Sequence, residues 1–334
     1  MTLVLTASDL TALADMDATV EAVENSFADL GAGLACQPAP VSMDLPASDA
    51  RYLVMAGASA TQSLVACKLL SDIPGNGARG LPSQRSSIVL ADAETGETLA
   101  LLDGRVPTRI RTAAASAVAT RHLARPESSV LGLVGAGALA IAHAEAIASV
   151  LPIDTVKVWS RTAETLEAFR RSLEGSGREE AAGLKVVAAA TARDVVESSD
   201  VVCTLTPSQT PIVSGVWFNP GLHLNAVGAR PRPTDREVDG EALARSRVIV
   251  DSLETALAKS GDLLLAVEEG ALRARDVAGE LGQVLAGSIA GRESAEQITL
   301  FDSVGIGLQD LAIGRVLYDA ALERGVGLNV DLSR

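Results

Sequence analysis

The sequence predicts an α/β protein of two domains, one of which is organised around a mostly parallel sheet. An apolar run at residues 130–134 leads through Gly135-Ala136-Gly137 into an alanine-rich segment without proline, an order typical of a buried strand, a tight turn and a helix. Strand-like runs and helical segments then alternate along the chain, which indicates parallel strands covered by helices. A length of 334 residues leaves room for a second, smaller domain.

Composition narrows the class of protein. Hydrophobic residues make up 48% of the chain and aromatic residues 2%, so we expect a core of Ala, Val, Leu and Ile. The net charge of −14 argues against a nucleic-acid partner, since such binding needs Lys and Arg to neutralise phosphates. No apolar run approaches the roughly 20 residues that span a bilayer, and the amino terminus lacks a secretory signal. We therefore expect a cytoplasmic protein with no membrane partner.

The cysteines and histidines lack the spacing of a metal site. Cys36, Cys67 and Cys203 form no CxxC pair and are expected to be reduced and mostly buried. The three histidines are scattered along the chain, so we expect no metal ion.

The first hundred residues predict one helix and an antiparallel sheet. The helix covers residues 8–34, with Ser8 as its N-cap, because apolar residues recur there at helical spacing. A loop rich in turn-forming residues separates Lys68 from Ser83. The strands are expected at 52–56, 63–70, 87–91 and 98–102. An alanine-rich helix follows and runs to Leu123.

From residue 130 onward, strands and helices alternate. After the first strand, further strands are expected at 155–159, 184–188, 200–205, 222–227, 248–251 and 297–301. Helices are expected at 138–150, at 192–197 and, as a long amphipathic helix, at 302–323.

The glycine turn has the features of a dinucleotide-binding loop. Gly135 would let the turn close, Gly137 would let a pyrophosphate approach the backbone, and Ala140 would let helix and strand pack closely. The helix that begins at Ala138 and Leu139 would offer N–H groups to phosphate. We therefore expect a Rossmann-type doubly wound dinucleotide-binding domain, with a glycine turn that binds nothing as the alternative.

The end of the next strand indicates which cofactor is bound. Ser160-Arg161-Thr162 begins 25 residues after Gly135, near the position, about 20 residues on, at which an NAD-binding domain places an acidic residue against the ribose. Ser160 is neutral and Arg161 is cationic, and a guanidinium beside two hydroxyls suits a 2′-phosphate. The sequence favours NADPH over NADH without excluding NADH. The alternative is a helix start that carries a surface arginine.

One lysine lies inside an apolar run. Lys68 stands within the predicted strand at 63–70, where burying its charge without a partner would be costly. A functional role for Lys68 would explain why a lysine stands inside this apolar run. A lysine on the solvent side of an edge strand is the alternative.

Five segments in this order resemble the ornithine cyclodeaminase/mu-crystallin family, and the resemblance covers nearly the whole chain. They are RIRTAA at 109–114, GAGALA at 135–140, CTLTP at 203–207, HLNAVG at 223–228 and FDSVG at 301–305. The resemblance implies a smaller α+β substrate-binding and dimerisation domain, residues 1–117 with 306–334, and a nucleotide-binding domain at 118–305. It also implies homodimers that pair through the substrate domain.

The same resemblance implies a set of substrate contacts. Arg111 matches the family residue that binds the substrate carboxylate. Lys68 matches the active-site lysine, which would neutralise the carboxylate or exchange a proton with the substrate nitrogen, its pKa lowered by Arg111. Gln84 and Arg85 stand where the family contacts substrate, and Arg85 would replace an arginine that this chain lacks near residue 40. Backbone groups at Gly305 would flank the substrate.

The cofactor contacts expected from the glycine loop and from the resemblance lie in that loop, at the starts of helices and at the ends of strands. They are Thr112, Gly135, Ala136, Gly137, Ala138, Leu139, Ser160, Arg161, Thr162, Thr204, Leu205, Thr206, Val227 and Val304.

The chain departs from the family in the loop after Gly228. Cyclodeaminases and alanine dehydrogenases of the family carry an aspartate two residues after this glycine, where it acts as a base, and this chain has Arg230. An arginine accepts no proton from a substrate ammonium. Asp235 or Glu237 would be the substitutes, and surface acids at a helix start are the alternative.

These observations favour an NADPH-dependent reductase of the C=N bond of an α-imino acid. The substrate would be a cyclic ketimine, such as Δ1-pyrroline- or Δ1-piperideine-2-carboxylate, or an imine formed from a 2-oxo acid and an amine. The alternatives are an ornithine or lysine cyclodeaminase that uses bound NAD, and a relative that binds a small ligand without turnover. Imine reduction needs no base for an ammonium, whereas deamination does.

Overall fold

The computed structural model describes residues 1–175 and 183–332 and confirms the α/β fold class. The chain divides into two compact units, Met1–Arg111 with Gly305–Arg334 and Thr112–Val304, and each contains an eight-stranded sheet. The domains predicted from the sequence include residues 176–182 and 333–334, which lie outside the described residues. The roles predicted for the two domains stay predictions.

Sixteen strands are found in the described part of the chain. In chain order they are β1 (Thr2–Leu5), β2 (Ala35–Cys36), β3 (Val41–Asp44), β4 (Arg51–Ser59), β5 (Leu64–Asp72), β6 (Gln84–Asp92), β7 (Thr98–Asp103), β8 (Val130–Val134), β9 (Thr155–Trp159), β10 (Lys185–Ala188), β11 (Val201–Thr204), β12 (His223–Ala226), β13 (Arg247–Val250), β14 (Gly279–Glu280), β15 (Thr299–Asp302) and β16 (Leu328–Val330).

The helices of the described residues lie between these strands. The α-helices are Ala7–Leu13, Met16–Gly31, Arg105–Leu123, Ala138–Ala148, Ala163–Glu174, Ala192–Glu197, Gly240–Ala244, Leu253–Lys259, Gly261–Glu268, Leu281–Leu285 and Gly307–Arg324. Short 3₁₀ helices occupy Pro74–Arg79, Gly215–Trp217 and Ala274–Asp276.

The sheet of the first unit has the strand order β16-β1-β7-β6-β5-β4-β2, with β3 also paired to β4. Strands β4 to β7 are antiparallel, as predicted, whereas β1 pairs in parallel with β7 and was not predicted. Alternate residues of β5 are buried, so one face of the sheet forms a core. The helix Gly307–Arg324 packs on that face so closely that a Cβ on Gly57 would lie 2.9 Å from Leu308 N.

The eight strands described in the second unit are all parallel, in the order β10-β9-β8-β11-β12-β15-β13-β14. The chain extends the sheet from β8 to β9 and β10 on one side and resumes at β11 on the other side. The carboxyl ends of β8 and β11 therefore meet where the strand order reverses, and open α/β sheets bind ligands in the crevice at such a point.

The amino-terminal helix prediction needs correction. Ala7–Leu13 and Met16–Gly31 are separate helices, because the carboxylate of Asp15 accepts a hydrogen bond from Ala18 N and starts a new helix. The first of the two helices is capped by Thr6, whose hydroxyl accepts from Asp9 N, and not by Ser8.

The carboxy-terminal helix prediction also needs correction. The helix begins at Gly307 and not at residue 302, because Asp302 is still paired in β15. Residues 303–305, which lie inside the predicted helix, belong to neither the strand nor the helix. The first eight residues of the helix are all buried, so the amphipathic pattern expected for the whole helix fails in this half.

The cysteines are less buried than expected. Cys36 and Cys67 are exposed, and only Cys203 is buried, because the first two lie on the solvent-facing side of their strands. Across the described residues, no helix is both long enough and apolar enough to cross a membrane.

Candidate active site

The glycine turn lies at the carboxyl end of β8, where the strand order reverses. Gly135 has a φ of 118°, which favours glycine, and a Cβ there would lie 2.8 Å from the carbonyl oxygen of Leu205. Gly137 is the N-cap of the helix Ala138–Ala148, and no side chain caps that helix. A Cβ on Gly137 would meet nothing within 4 Å, and Ala138 is exposed. The first turn is thus open to a phosphate, and the residues present fit a dinucleotide pyrophosphate.

Two of the predicted cofactor residues lie on one cavity. Arg161, which follows β9, and Thr206, which follows β11, line a cavity of about 70 Å³ together with Pro207, Ser208 and Ile212. Arg161 is exposed, so its guanidinium is accessible to a ligand. The hydroxyl of Thr162 accepts a hydrogen bond from Thr165 N and caps the helix Ala163–Glu174. Thr162 therefore has a structural role at the position where a cofactor contact was expected.

Other predicted cofactor residues follow β12 and β15. Val227 and Val304 are half-buried and line one small cavity, which Arg230 and Lys259 also line. Thr204 is fully buried within β11. The structure thus brings together the residues that follow adjacent parallel strands of the second unit.

Lys68 and Arg111 meet at one carboxylate in the first unit. Lys68 Nζ donates a hydrogen bond to Asp310 Oδ1 at 3.1 Å, and Arg111 Nε donates to the same oxygen at 3.2 Å. Arg111 Nη1 also donates to Gln309 Oε1. All four side chains are buried, and we call them the Lys68 cluster. Lys68 lies on β5 in the interior of the sheet, so the alternative of an exposed lysine on an edge strand is excluded.

The Lys68 cluster has two features of a ligand site. Two cations share one carboxylate, so the cluster keeps an excess positive charge. Gln309 Nε2 and Asp310 Oδ2 are buried and have no hydrogen-bond partner among the described residues. Buried polar atoms are nearly always paired, so a bound ligand with a carboxylate and an N–H group would complete the cluster.

Burial controls the protonation of Lys68. Burial lowers the pKa of Lys68 to about 8, the Asp310 carboxylate opposes this shift, and the charge of Arg111 adds to it. The effect expected from Arg111 is therefore present, but burial is the larger cause.

Arg85 is not brought to the Lys68 cluster. Gln84 and Arg85 line a cavity of about 450 Å³, together with Ser71 and Arg105. Arg85 pairs with Ser71 across the strands, whereas Lys68 pairs with Ile88, and residues at odd and even positions of these strands face opposite sides. The side chain of Arg85 therefore lies on the opposite face of the sheet from Lys68.

The loop after Gly228 carries an ion pair. Arg230 Nε donates to Asp235 Oδ2 at 2.7 Å. Asp235 and Glu237 are buried, and the nearby helix begins only at Gly240, so neither is a surface acid at a helix start. The carboxylate of Asp235 is thus occupied by the arginine that stands in place of the family aspartate.

Two residues of the Lys68 cluster were missed by sequence reasoning. Gln309 and Asp310 stood in a helix expected to be amphipathic, where adjacent polar residues are normally exposed. The one available signal was Lys68 itself, because a lysine in a buried strand requires an acidic partner somewhere in the chain.

The chain is similar to known proteins over both units. The model of the ornithine cyclodeaminase/mu-crystallin family matches residues 1–325. Delta(1)-pyrroline-2-carboxylate reductase of Bacillus cereus is 34% identical over 330 residues, which are 98% of this chain and 99% of that protein.

Two solved structures are similar over nearly the full length. The structure of Thermococcus litoralis Delta(1)-pyrroline-2-carboxylate reductase in complex with NADH and L-proline gives a TM-score of 0.91 at 34% identity and covers 98% of this chain and 100% of that chain. An archaeal alanine dehydrogenase dimer with bound NAD gives a TM-score of 0.90 at 33% identity, with 99% of each chain covered.

Proposed function

This chain belongs to the ornithine cyclodeaminase/mu-crystallin family, and on that premise we propose that it reduces the C=N bond of an α-imino acid with a nicotinamide cofactor. The substrate that we favour is a cyclic ketimine such as Δ1-pyrroline-2-carboxylate, the substrate for which two similar proteins are named.

The observation that carries this proposal is the charge of the Lys68 cluster. Its excess positive charge suits the carboxylate of an α-imino acid, and the unpartnered Gln309 Nε2 would donate a hydrogen bond to it. The one carboxylate of the cluster binds Lys68 and Arg111 through Oδ1, and its Oδ2 would accept a hydrogen bond from the N–H of a protonated imine. Imine reduction needs cations for the substrate carboxylate and a proton for the substrate nitrogen, and the cluster supplies both.

Reduction of the C=N bond consumes one hydride and one proton. When bound, a nicotinamide cofactor would supply the hydride to the imine carbon. Lys68 donates the proton to the imine nitrogen, since a group with a pKa of about 8 is mostly protonated at neutral pH yet gives up its proton readily. Arg111 binds the carboxylate beside the imine carbon and so fixes the orientation of that carbon.

We propose NADPH as the preferred cofactor. Gly135, Gly137 and the open first turn at Ala138 would receive the pyrophosphate. The exposed guanidinium of Arg161 would bind a 2′-phosphate on the adenosine ribose, and NADH would bind without that contact.

We also propose that two copies of the chain pair through the first unit. Leu69, Val89 and Leu101 are exposed on neighbouring strands β5, β6 and β7, and an apolar sheet face of this kind is normally covered by a partner. The similar archaeal alanine dehydrogenase is a dimer. Light scattering on the purified protein should give the mass of two chains, and the mass of one chain would contradict this proposal.

Parallel assays separate the proposed reaction from its rivals. We expect NADPH oxidation when Δ1-pyrroline-2-carboxylate is added, followed by the absorbance of the reduced nicotinamide. Ornithine with NAD⁺ should release no ammonia. Pyruvate with ammonium should be a poor substrate, and this arm tests the activity for which the similar alanine dehydrogenase is named. Ammonia from ornithine, or faster turnover of pyruvate than of the ketimine, would overturn the proposal.

A further inference from the structure

Glu237 joins the ends of two neighbouring strands. Its Oε1 accepts hydrogen bonds from Thr206 N at 2.6 Å and from Thr206 Oγ1 at 2.7 Å, and its Oε2 accepts from Gly228 N at 2.8 Å. Thr206 follows β11, and Gly228 follows β12. One fully buried carboxylate therefore fixes two loops at the carboxyl ends of the strands, the side on which open α/β sheets bind ligands.

These two loops pack against each other and against the glycine turn. A Cβ on Gly228 would lie 2.4 Å from Thr206 N, and a Cβ on Gly135 would lie 2.8 Å from the carbonyl oxygen of Leu205. The segment Leu205-Thr206 thus packs against Gly228 on one side and against Gly135 of the glycine turn on the other. A shift of Thr206 would move the surfaces that the glycine turn and the Gly228 loop present to a cofactor.

The main chain around Glu237 is held independently of its side chain. Glu237 N and Val238 N both donate to Asp262 Oδ1 at 2.9 Å. Ile212 N and Val213 N donate to the carbonyl oxygen of Glu237. The backbone therefore keeps its place when the carboxylate changes, so a change in the carboxylate acts mainly on Thr206 and Gly228.

From this arrangement we infer that Glu237 is a positioning residue for the dinucleotide, and that its carboxylate, when ionised, holds the Thr206 and Gly228 loops in the binding geometry. The inference rests on the proposed nicotinamide-dependent function. An ionised carboxylate accepts all three hydrogen bonds, whereas protonation converts one oxygen into a donor and breaks part of the contact.

The surroundings of Glu237 make this contact sensitive to pH near neutrality. Burial raises the pKa of Glu237 to about 7, the hydrogen bonds from Thr206 oppose the shift, and the carboxylate of Asp262 adds to it. Burial raises the pKa of the Cys203 thiol on β11, and the charge of Glu237 adds to this shift. The nearby Arg236 is paired with Glu269 at 2.7 Å, and its charge acts on Asp262.

Titration of NADH and NADPH fluorescence against pH tests the inference without any turnover. For the unmodified protein, Kd for both cofactors should rise about tenfold between pH 8 and pH 6, as an ionised group with a pKa near 7 is lost. Glu237→Gln should bind about tenfold more weakly at pH 8 and lose most of the pH dependence, because its amide nitrogen cannot accept from Gly228 N. Glu241→Gln, which changes an exposed glutamate of the same unit, should match the unmodified protein.

Thr206→Val provides a second variant in case Glu237→Gln does not fold. It removes the hydroxyl that lowers the pKa of Glu237, so the pH at which affinity falls should move upward. A purely structural role of Thr206 would weaken binding without moving this midpoint. The inference is overturned if Glu237→Gln keeps the unmodified Kd and pH dependence, or if the midpoint of Thr206→Val stays in place. If the unmodified protein binds neither cofactor, the proposed function fails as well.

Discussion

Asp310 Oδ1 accepts a hydrogen bond from Lys68 Nζ at 3.1 Å, although the two residues are 242 positions apart in the chain. The same oxygen accepts from Arg111 Nε, so one buried carboxylate holds both cations that the proposed reaction uses. A change at Asp310 should therefore affect proton donation and substrate binding together.

We expect Asp310→Asn to shift the pH dependence of turnover. The Asp310 carboxylate opposes the lowering of the Lys68 pKa by burial, so its removal should take that pKa below 8. Since Lys68 must be protonated to donate, the alkaline limb of the kcat profile should move to lower pH by about one unit or more. The measurement is kcat for ketimine reduction from pH 6 to pH 10.

Asp319→Asn is the matched control for Asp310→Asn. Asp319 lies on the same helix and pairs with Arg315 at 2.7 Å, but both side chains are about half exposed. Exposed pairs contribute little to stability, so this variant should keep the unmodified pH profile. An alkaline limb that stays in place in Asp310→Asn would show that Lys68 is not the proton donor.

The fold of the second unit could be predicted well because its signals are local. The strand, glycine turn and helix at 130–148 can be identified from a few adjacent residues, and β9 lies at the predicted residues 155–159. Elements that depend on distant partners were missed. Strand β1 is a short apolar run that becomes a strand only by pairing with β7 and β16, which come from residues near 100 and 330.

The candidate site could be predicted only in part, for the same physical reason. Lys68 and Arg111 were identified individually, but nothing in the neighbouring residues shows that Asp310 lies between them. Glu237 was named as a substitute for the family aspartate, with a surface acid as the alternative, but nothing in the neighbouring residues shows that it is buried and accepts hydrogen bonds from two loops. Strand alternation places Arg85 on the face opposite Lys68, and this could have been recognised once both strands were assigned.

Substitution of Arg111 should impair substrate binding far more than substitution of Arg85. Arg111→Lys keeps a positive charge but loses the planar set of donors, so KM for the ketimine should rise about tenfold or more. Arg85→Ala should change KM by less than about twofold, because Arg85 lies on the other face of the sheet. Steady-state KM values for the two variants provide the measurement. A comparable rise in Arg85→Ala would restore the hypothesis that Arg85 serves the carboxylate.

The choice between NADPH and NADH should depend on Arg161. Arg161→Ala removes the exposed guanidinium proposed to bind the 2′-phosphate, so KM for NADPH should rise about tenfold while KM for NADH stays the same. Arg171→Ala, which removes an exposed arginine from the following helix, is the matched control and should change neither value. Equal effects of Arg161→Ala on both cofactors would contradict a 2′-phosphate contact.

His143 should make the stability of the protein decrease in acid. His143 Nδ1 lies 2.7 Å from the carbonyl oxygen of Leu139 and Nε2 lies 3.0 Å from Ser116 Oγ, and burial lowers its pKa from 6.5 to about 4. Because the folded pKa lies below the unfolded pKa, the unfolded chain binds the proton first. Stability from this group is present above pH 6.5 and is lost as the pH falls toward 4, by up to about 1.4 kcal/mol per pH unit.

Two variants that lose the same imidazole–hydroxyl contact separate the titration of His143 from the loss of that contact. His143→Gln removes the titrating ring, so its urea midpoint should lie below that of the unmodified protein at pH 7 and approach it as the pH falls to 4.5. Ser116→Ala removes the hydroxyl and keeps the buried ring. The difference between its urea midpoint and that of the unmodified protein should therefore stay nearly constant over the same pH range. If the midpoint differences of both variants stay constant with pH, His143 does not cause the loss of stability in acid. Only His143→Gln removes the titration of this residue, so only its difference should shrink.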